Sequence, residues 1–378
     1  MATVLNMKKI GITGQHGFIG SHLFNTISLL KDEFTLQPFE KGFFSNEREL
    51  EKWVQQCDVI VHLSAMNRHE SQQLIHDTNI ELVNKLIAAL VKTGSTPHVI
   101  FSSSIQEERD NLYSSSKKAG RMALHDWADT NDAVFTGLII PNVFGPFGKP
   151  FYNSVVATFC HQLCNGLVPA IDNDGEIKLI YINELVAEII AVIRNNKTEE
   201  AMKIAATCCC KVSTLLDKLL GYKNNYLDNG IFPSLPDKFS IDLFNSFRSY
   251  IDHKEHFPVK LKPHADERGA FVELAKINIA GQVSYSTTHP GITRGNHFHT
   301  RKIERFMVIK GKALIQLRKY NTSEVFNFEL SGDEPSYVDM PVWYIHNIKN
   351  IGEEELYTVF WINEFFDPAD PDTYFETV

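Results

Sequence analysis

From Met7 to about residue 245 the chain alternates short apolar runs with stretches of helical period, and this alternation constrains its fold more than any other feature. "MKKIGITG" reads as a strand, "FIGSHLFNTISLL" as a helix and "CDVIVHLSAM" as a buried strand. In "NIELVNKLIAALVKTG", Ile80, Leu82, Val83, Leu86, Ile87, Leu90 and Val91 share a helix face that Gly94 ends. "HVIFSSS" follows as a strand, "SSSKKAGRMALHDWADT" as a helix and "VFTGLIIPNVFG" as a strand. Strands alternating with helices of this length predict an α/β doubly wound parallel sheet of Rossmann type.

Beyond that point the pattern changes. "SYIDHKEHFPVKLKPHADERG" is polar and punctuated by proline, and short strands separated by turn residues take over: "FVELAK", "QVSYSTT", "RFMVIKGKALIQLRK", "VFNFEL", "SYVDMPV" and "YTVFWINEF". This predicts an all-β sandwich or barrel. The expected division is therefore residues 1–245, a linker at 246–258, and 259–378. A chain of 378 residues is comfortable for two domains, and 43 % apolar with 22 % charged residues describes well-cored globular protein.

A net charge of −9 argues against nucleic-acid or anionic-membrane binding, which need basic surfaces. No window approaches the roughly 20 apolar residues of a membrane span. The start runs straight into a strand, leaving no room for a signal peptide. The six cysteines, at 57, 160, 164 and 208 to 210, form no CxxC pair. They read as reduced, mostly buried thiols of a cytoplasmic protein.

Gly14, Gly17 and Gly20 space a G-x-x-G-x-x-G between the first strand and the first helix, where Phe18 and Ile19 begin the helix. Glycines there let the backbone turn tightly and approach a pyrophosphate, which the helix N-terminus then meets with free N–H groups. Because the pattern follows a strand and opens a helix, it predicts dinucleotide binding. Near "LQPFEKG" the ribose is read: an acid favours a free 2′-hydroxyl and a cation a 2′-phosphate. Glu40 and Lys41 point opposite ways. Lys41 tips the reading to NADPH; the alternative is that both are solvated turn residues.

Tyr113 and Lys117 are four apart at the start of a helix and so share a face. A phenol beside an ammonium is expected to have a lowered pKa and to pass a proton to a carbonyl oxygen as hydride arrives. Ser104, with Ser103 as the alternative, can hydrogen-bond the same oxygen from the end of the preceding strand. "TGQHGFIG", "DVIVHLSA", "FSSS", "YSSSK" and "PNVFGP" together resemble the extended short-chain dehydrogenase/reductases, many of which act on nucleotide sugars. That resemblance implies Ser104, Tyr113 and Lys117 as the reduction triad. It also implies Leu63, Ser64 and Ala65 beside the cofactor and Asn142 as a substrate contact. Ile139 stands where the family often has arginine.

A second constellation lies in "GNHFHTRKIERFMVIKG", with His346 downstream. Residues two apart on a strand face the same side, so His297 and His299 share one interior, where Glu304 and His346 can join them. Three imidazoles and a carboxylate suit Zn²⁺ or another borderline divalent ion. The spacing resembles the two-motif signature of the cupin superfamily, except that Trp343 replaces a glycine usual in the second motif. "DERGAFVE" and "GITRGNHFH" resemble the deoxysugar 3,5-epimerases and ketoisomerases of that superfamily. This implies Arg268, Glu273 and Arg294 as substrate contacts and His297 as a base; with His299, Glu304 and His346 present, His297 goes to the metal and the base stays unassigned. Tyr285, Tyr344 and Lys302 are candidate proton carriers, each with a structural alternative.

The whole chain, to its closing "FDPADPDTYFETV", resembles the CapF-type bifunctional enzymes of capsule and O-antigen synthesis. "NRHE", "SSSIQ", "YNSVVATFC" and "PGITRGNHFH" carry this closer match. It implies C3 epimerisation of UDP-2-acetamido-2,6-dideoxy-β-L-arabino-hexos-4-ulose in the cupin domain. NADPH-dependent C4 reduction would then give UDP-N-acetyl-6-deoxy-L-talosamine, on the route to UDP-N-acetyl-L-fucosamine. It also implies a homodimer. The alternative is a 4-keto sugar reductase alone, with the cupin as a structural, dimerising or sugar-binding module.

Overall fold

The computed structural model describes residues 7–378. By internal contact the chain forms two compact units. The first comprises residues 7–144, 148–155 and 175–211; the second comprises 145–147, 156–174 and 212–378.

The first unit is built on a six-stranded sheet. Its order is Phe34–Gln37, Lys8–Thr13, Val59–His62, His98–Ser104, Phe135–Ile140 and Glu199–Lys203. Every neighbouring pair is parallel. The strands are near-continuous apolar runs because helices cover the sheet; Ile10, Ile60, Val61, Val99 and Ile100 are almost fully buried. Strand order reverses between Lys8–Thr13 and its neighbours, so a ligand crevice is expected beyond the carboxyl ends of those strands. A smaller sheet pairs Asn142–Phe144 with Glu176–Tyr181, and that strand with Cys208–Lys211.

The helix read from its apolar stripe runs from Gln72 to Thr93, capped by the Ser71 hydroxyl and closed by Gly94 at φ +65°. Val91 is the exception to the expected buried face, at 59 % exposed. All six cysteines are free thiols. Cys57 and Cys160 are buried, but Cys164, Cys208 and Cys210 are half-buried and Cys209 is exposed, so burial is less general than the sequence suggested.

In the second unit two five-stranded antiparallel sheets form a β domain of cupin type. One runs Val259–Lys260, Ser336–Met340, Glu304–Lys310, Leu356–Ile362, Gln282–Thr288. The other runs Val325–Ser331, Lys312–Lys319, Tyr344–Asn350, Thr293–Phe298, Tyr374–Phe375. The long run "RFMVIKGKALIQLRK" is two strands, turned at Gly311 with φ +87°. Residues 246–258 hold the end of the helix Lys238–Arg248 and a helical turn, His253–His256. Among them Phe247, Arg248, Ile251, His253 and Phe257 are buried.

The same unit contains a buried ion pair on the back of the Glu304 strand. Arg305 donates to Asp339 at 2.7 and 2.9 Å, and Tyr226 donates its hydroxyl to Asp339 at 2.6 Å. The Arg305 guanidinium stacks 3.5 Å from the Tyr337 ring centroid and 4.4 Å from that of Phe232. Successive residues of a strand face opposite ways, so fixing Arg305 outward presents Glu304 inward.

Candidate functional sites

At the carboxyl ends of the first and third strands, Gly14 adopts φ +73°. A Cβ there would come 3.0 Å from Ser64 N, and one on Gly20 would come 2.1 Å from Gly14 O. Glycine is therefore required where the turn closes on the helix. Gly17 caps the helix Phe18–Leu29 and donates its N–H to Gly14 O at 2.9 Å. The Thr13 hydroxyl accepts from Leu63 N at 3.1 Å and Ser64 N at 3.2 Å, which draws Leu63 to Ala65 alongside the glycine turn. Gln15 accepts from Phe39 N at 3.0 Å and so pins the start of the Glu40–Lys41 corner to the same turn. Both corner residues are exposed. These contacts bring Leu63, Ser64 and the start of the Glu40–Lys41 corner alongside the glycine turn.

Tyr113 and Lys117 lie in the first turns of the helix Leu112–Thr130, which Asn111 caps through Ser114 N at 2.9 Å. Ser104 ends its strand, and its hydroxyl accepts from Gln106 N at 3.2 Å. Lys117 is buried with its ammonium 4.6 Å from the Phe101 ring centroid. Burial lowers Lys117 to about 8, and Glu107 acts in the opposite sense. The expectation of a lowered phenol is reversed: burial, with Tyr152 adding to it, raises Tyr113 to about 12. Desolvation of the phenolate outweighs the ammonium one turn away. Asn142 donates its amide to Lys178 O at 3.1 Å, and Ile139 is in register with Ser103.

In the β unit, His297 and His346 are cross-strand partners. A bulge at Asn296, φ +59°, interrupts the register beside them. The ligating atoms of His297, His299, Glu304 and His346 all lie within 4.8 Å of one another. His299 Nδ1 meets Asp372 O at 2.5 Å and His346 Nδ1 meets Tyr344 O at 3.1 Å. Carbonyls accept, so both Nδ1 atoms carry the proton, and in the neutral rings both Nε2 lone pairs point inward. They stand 3.2 and 3.3 Å from Glu304 Oε2, and these three buried atoms have no hydrogen-bond partner. Neutral imidazole lone pairs facing a carboxylate out of water are a donor set that fits a divalent metal. Burial, then His346 and His299, lower His297 to about 4, keeping it a neutral donor at working pH.

The sequence reading missed Asp372. Its carboxylate accepts from Thr300 N, Thr300 Oγ1, Arg301 N and Lys302 N, at 2.7 to 3.2 Å. It thereby ties down the loop following His299, while its carbonyl orients that imidazole. Only an acidic residue in a run with two prolines marked it. The other expected residues lie at the surface: Arg268 pairs with Asp266 at 2.6 Å and Glu273 with Lys276 at 2.9 Å, all exposed, and Arg294 is exposed on its strand. Lys302 donates to Pro371 O at 2.7 Å, the Tyr344 ring stands edge-on to His253, and Tyr285 is 73 % exposed.

A parallel sheet with this glycine turn and a Ser–Tyr–Lys set defines a dinucleotide-dependent oxidoreductase of Rossmann type, here joined to a β domain. Residues 10–205 match the NAD dependent epimerase/dehydratase family and residues 264–374 match the polysaccharide biosynthesis C-terminal domain. The chain belongs to the NAD dependent epimerase/dehydratase family and is of CapF type. It is 31 % identical over 369 residues to a UDP-2-acetamido-2,6-beta-L-arabino-hexul-4-ose reductase of Pseudomonas aeruginosa, covering 97 % of this chain and 98 % of the relative. It is 34 % identical to the solved capsular polysaccharide assembling protein CapF of Staphylococcus aureus, covering 98 % of this chain and 100 % of that one at TM-score 0.63. A stretch of 123 residues is 27 % identical to the spore coat polysaccharide biosynthesis protein SpsL of Bacillus subtilis, 30 % of this chain and 82 % of that protein. Among the described residues no helix is long and apolar enough to cross a membrane.

Proposed function

We propose that this nucleotide-sugar enzyme reduces the C4 ketone of a UDP-2-acetamido-2,6-dideoxy-4-keto-hexose with NADPH in its first domain, after C3 epimerisation in its cupin domain. The observation that carries the reductive half is Tyr113, a neutral, half-buried phenol four residues before buried Lys117 at the carboxyl end of the parallel sheet. In this reading Tyr113 Oη donates its proton to the sugar carbonyl oxygen, Ser104 Oγ hydrogen-bonds that oxygen, and the Lys117 ammonium stabilises the resulting phenolate. Gly14, Gly17, Phe18, Ile19, Gly20 and Leu63–Ala65 seat the dinucleotide, and Asn142 contacts the sugar. His297, His299, Glu304 and His346 hold the cation, with Arg268, Glu273 and Arg294 reaching the nucleotide sugar. When bound, the dinucleotide supplies hydride and the cation supplies Lewis acidity toward an enolate. A homodimer belongs to the same reading; the edge strand Gln282–Thr288, with Val283 and Tyr285 exposed, supports pairing through sheets.

The commitments of Lys302 and Tyr344 within the fold favour the second reading, a reductase whose cupin is structural. One experiment separates the two. Protein incubated with the 4-keto sugar and NADPH in D₂O is expected to give the talo product with deuterium at C3. NADPH oxidation with no C3 deuterium would leave reduction alone.

Lys41 is exposed at the ribose corner, so its effect is electrostatic. Lys41→Glu is expected to raise KM for NADPH about tenfold, the equivalent of about 1.4 kcal/mol, while leaving KM for NADH unchanged or lower. Equal effects on both dinucleotides would remove Lys41 from 2′-phosphate recognition.

A further inference from the structure

Glu107 lies in the loop between Ser104 and Tyr113 and belongs to no motif. Its side chain is 9 % exposed and fully engaged. Arg121 Nε donates to its two oxygens at 3.0 and 3.3 Å, Arg121 Nη2 donates at 3.1 Å, and the Ser103 hydroxyl donates to it as well. Arg121, equally buried, gives Nη1 to Glu200 Oε1 at 2.8 Å and to Glu200 O at 3.3 Å. Polar contacts thus run without a break from the last strand of the sheet, through the Tyr113 helix, to the loop and the end of the His98–Ser104 strand. Gly137 makes the passage: a Cβ there would come 2.7 Å from Arg121 Cδ and 2.3 Å from Glu200 O.

An ion pair this buried is poor evidence for stability, since apolar residues of equal volume hold a helix to a sheet as well. Apolar residues cannot supply charge, however, and Arg121 is one helical turn beyond Lys117. The groups around the Lys117 ammonium come from four elements. The His98–Ser104 strand offers the Phe101 ring, and the Val59–His62 strand offers His62, which burial, then Lys117, hold at about 3 and so neutral. The lysine's own helix carries the neutral phenol of Tyr113 and Arg121, already paired. Among the described residues only the loop brings a negative charge, Glu107, and it opposes the effect of burial on Lys117.

We propose that Glu107 is a positioning residue for reduction, anchoring the loop that joins Ser104 to Tyr113 and serving as the buried countercharge of Lys117. This rests on Ser104, Tyr113 and Lys117 being the reduction set. Loss of the countercharge makes the ammonium easier to deprotonate, so the alkaline limb of activity moves down in pH. The test measures NADPH oxidation with the 4-keto sugar from neutral to alkaline pH, in wild type, Glu107→Gln, Glu107→Asp and Tyr113→Phe. In Glu107→Gln the alkaline limb of kcat/KM is expected about half a pH unit or more lower. Glu107→Asp keeps the charge but shortens the reach. It is expected to leave the limb in place while lowering kcat and speeding amide exchange in residues 105–111. A Glu107→Gln profile scaled evenly, with its limb unmoved, overturns the countercharge role and leaves the reduction set standing. Should Glu107→Gln not fold, a Glu107→Asp enzyme with wild-type kcat and wild-type loop exchange overturns the proposal. A fully active Tyr113→Phe overturns the reduction set itself, and this inference with it.

Discussion

Tyr113→Phe is expected to cut NADPH-dependent reduction of the 4-keto sugar by about 10²–10⁴-fold, the usual contribution of a positioned general acid. The variant keeps the ring and its packing and deletes only the hydroxyl, so melting temperature and KM for NADPH are expected to stay near wild type. Burial raises this phenol to about 12, so it carries its proton throughout the working range. The pH limit falls instead on Lys117, which burial lowers to about 8. A lysine is charged below its pKa, so rising pH through that value removes the ammonium and with it stabilisation of the phenolate. Wild-type kcat/KM is therefore expected to decline above about 8, where Lys117 titrates. Stopped-flow NADPH oxidation measures both effects; a loss below tenfold in Tyr113→Phe would put the proton donor elsewhere.

The parallel sheet was legible because its strands are buried on both faces and its helices on one, which writes two different periods into the chain. The helix Gln72–Thr93 extends eight residues before its apolar stripe because Ser71 caps it, and in those eight residues only Leu74 and Ile75 are apolar. Lys238–Arg248 left no such trace. Leu243, Phe244, Asn245, Ser246, Phe247 and Arg248 are all buried, so the helix has no solvent face to alternate with its core face. Two of its polar side chains reach partners distant in sequence: Arg248 Nη2 donates to Met340 O at 3.0 Å and Asn245 Nδ2 to Arg301 O at 2.9 Å.

The sites divide in the same way. Residues whose spacing is dictated by local geometry, such as the three glycines, Tyr113 with Lys117, and His297 with His299, announce themselves. Asp372 and Glu107 act through partners separated in sequence, 73 residues in the case of Asp372 and His299, and no local pattern encodes that. Trp343 is the instructive departure. Its backbone takes φ +63°, the conformation for which a glycine is usual, and its N–H still reaches His299 O at 2.8 Å. The ring, 3 % exposed, stacks 5.6 Å from Phe298 and lies 5.7 Å from Tyr320. Aromatic burial offsets a strain of about 1–3 kcal/mol, so the altered motif still delivers His346 to the cluster.

Glu304→Ala is expected to abolish metal retention. It removes the only anionic donor of the cluster and leaves His299 and His346 lone pairs facing a cavity. Purified variant analysed for bound metal is expected to contain none, and C3 deuterium exchange is expected to vanish, while reduction of an already epimerised ketone persists. A metal held at about 1,000 times its Kd stabilises the fold by about 4 kcal/mol, so chelation is expected to lower the melting temperature of wild type but not of Glu304→Ala. Asp372→Gly grades the argument. Glycine accepts the φ of +41° at that position and keeps the carbonyl that orients His299, but lacks the carboxylate holding Thr300 to Lys302. Its metal affinity is expected to fall by about 10–100-fold, as when a partner of a ligating histidine is lost. Stoichiometric metal in Glu304→Ala would refute the four-ligand site. Unchanged affinity in Asp372→Gly would show that the His299 carbonyl contact alone suffices to hold the ring.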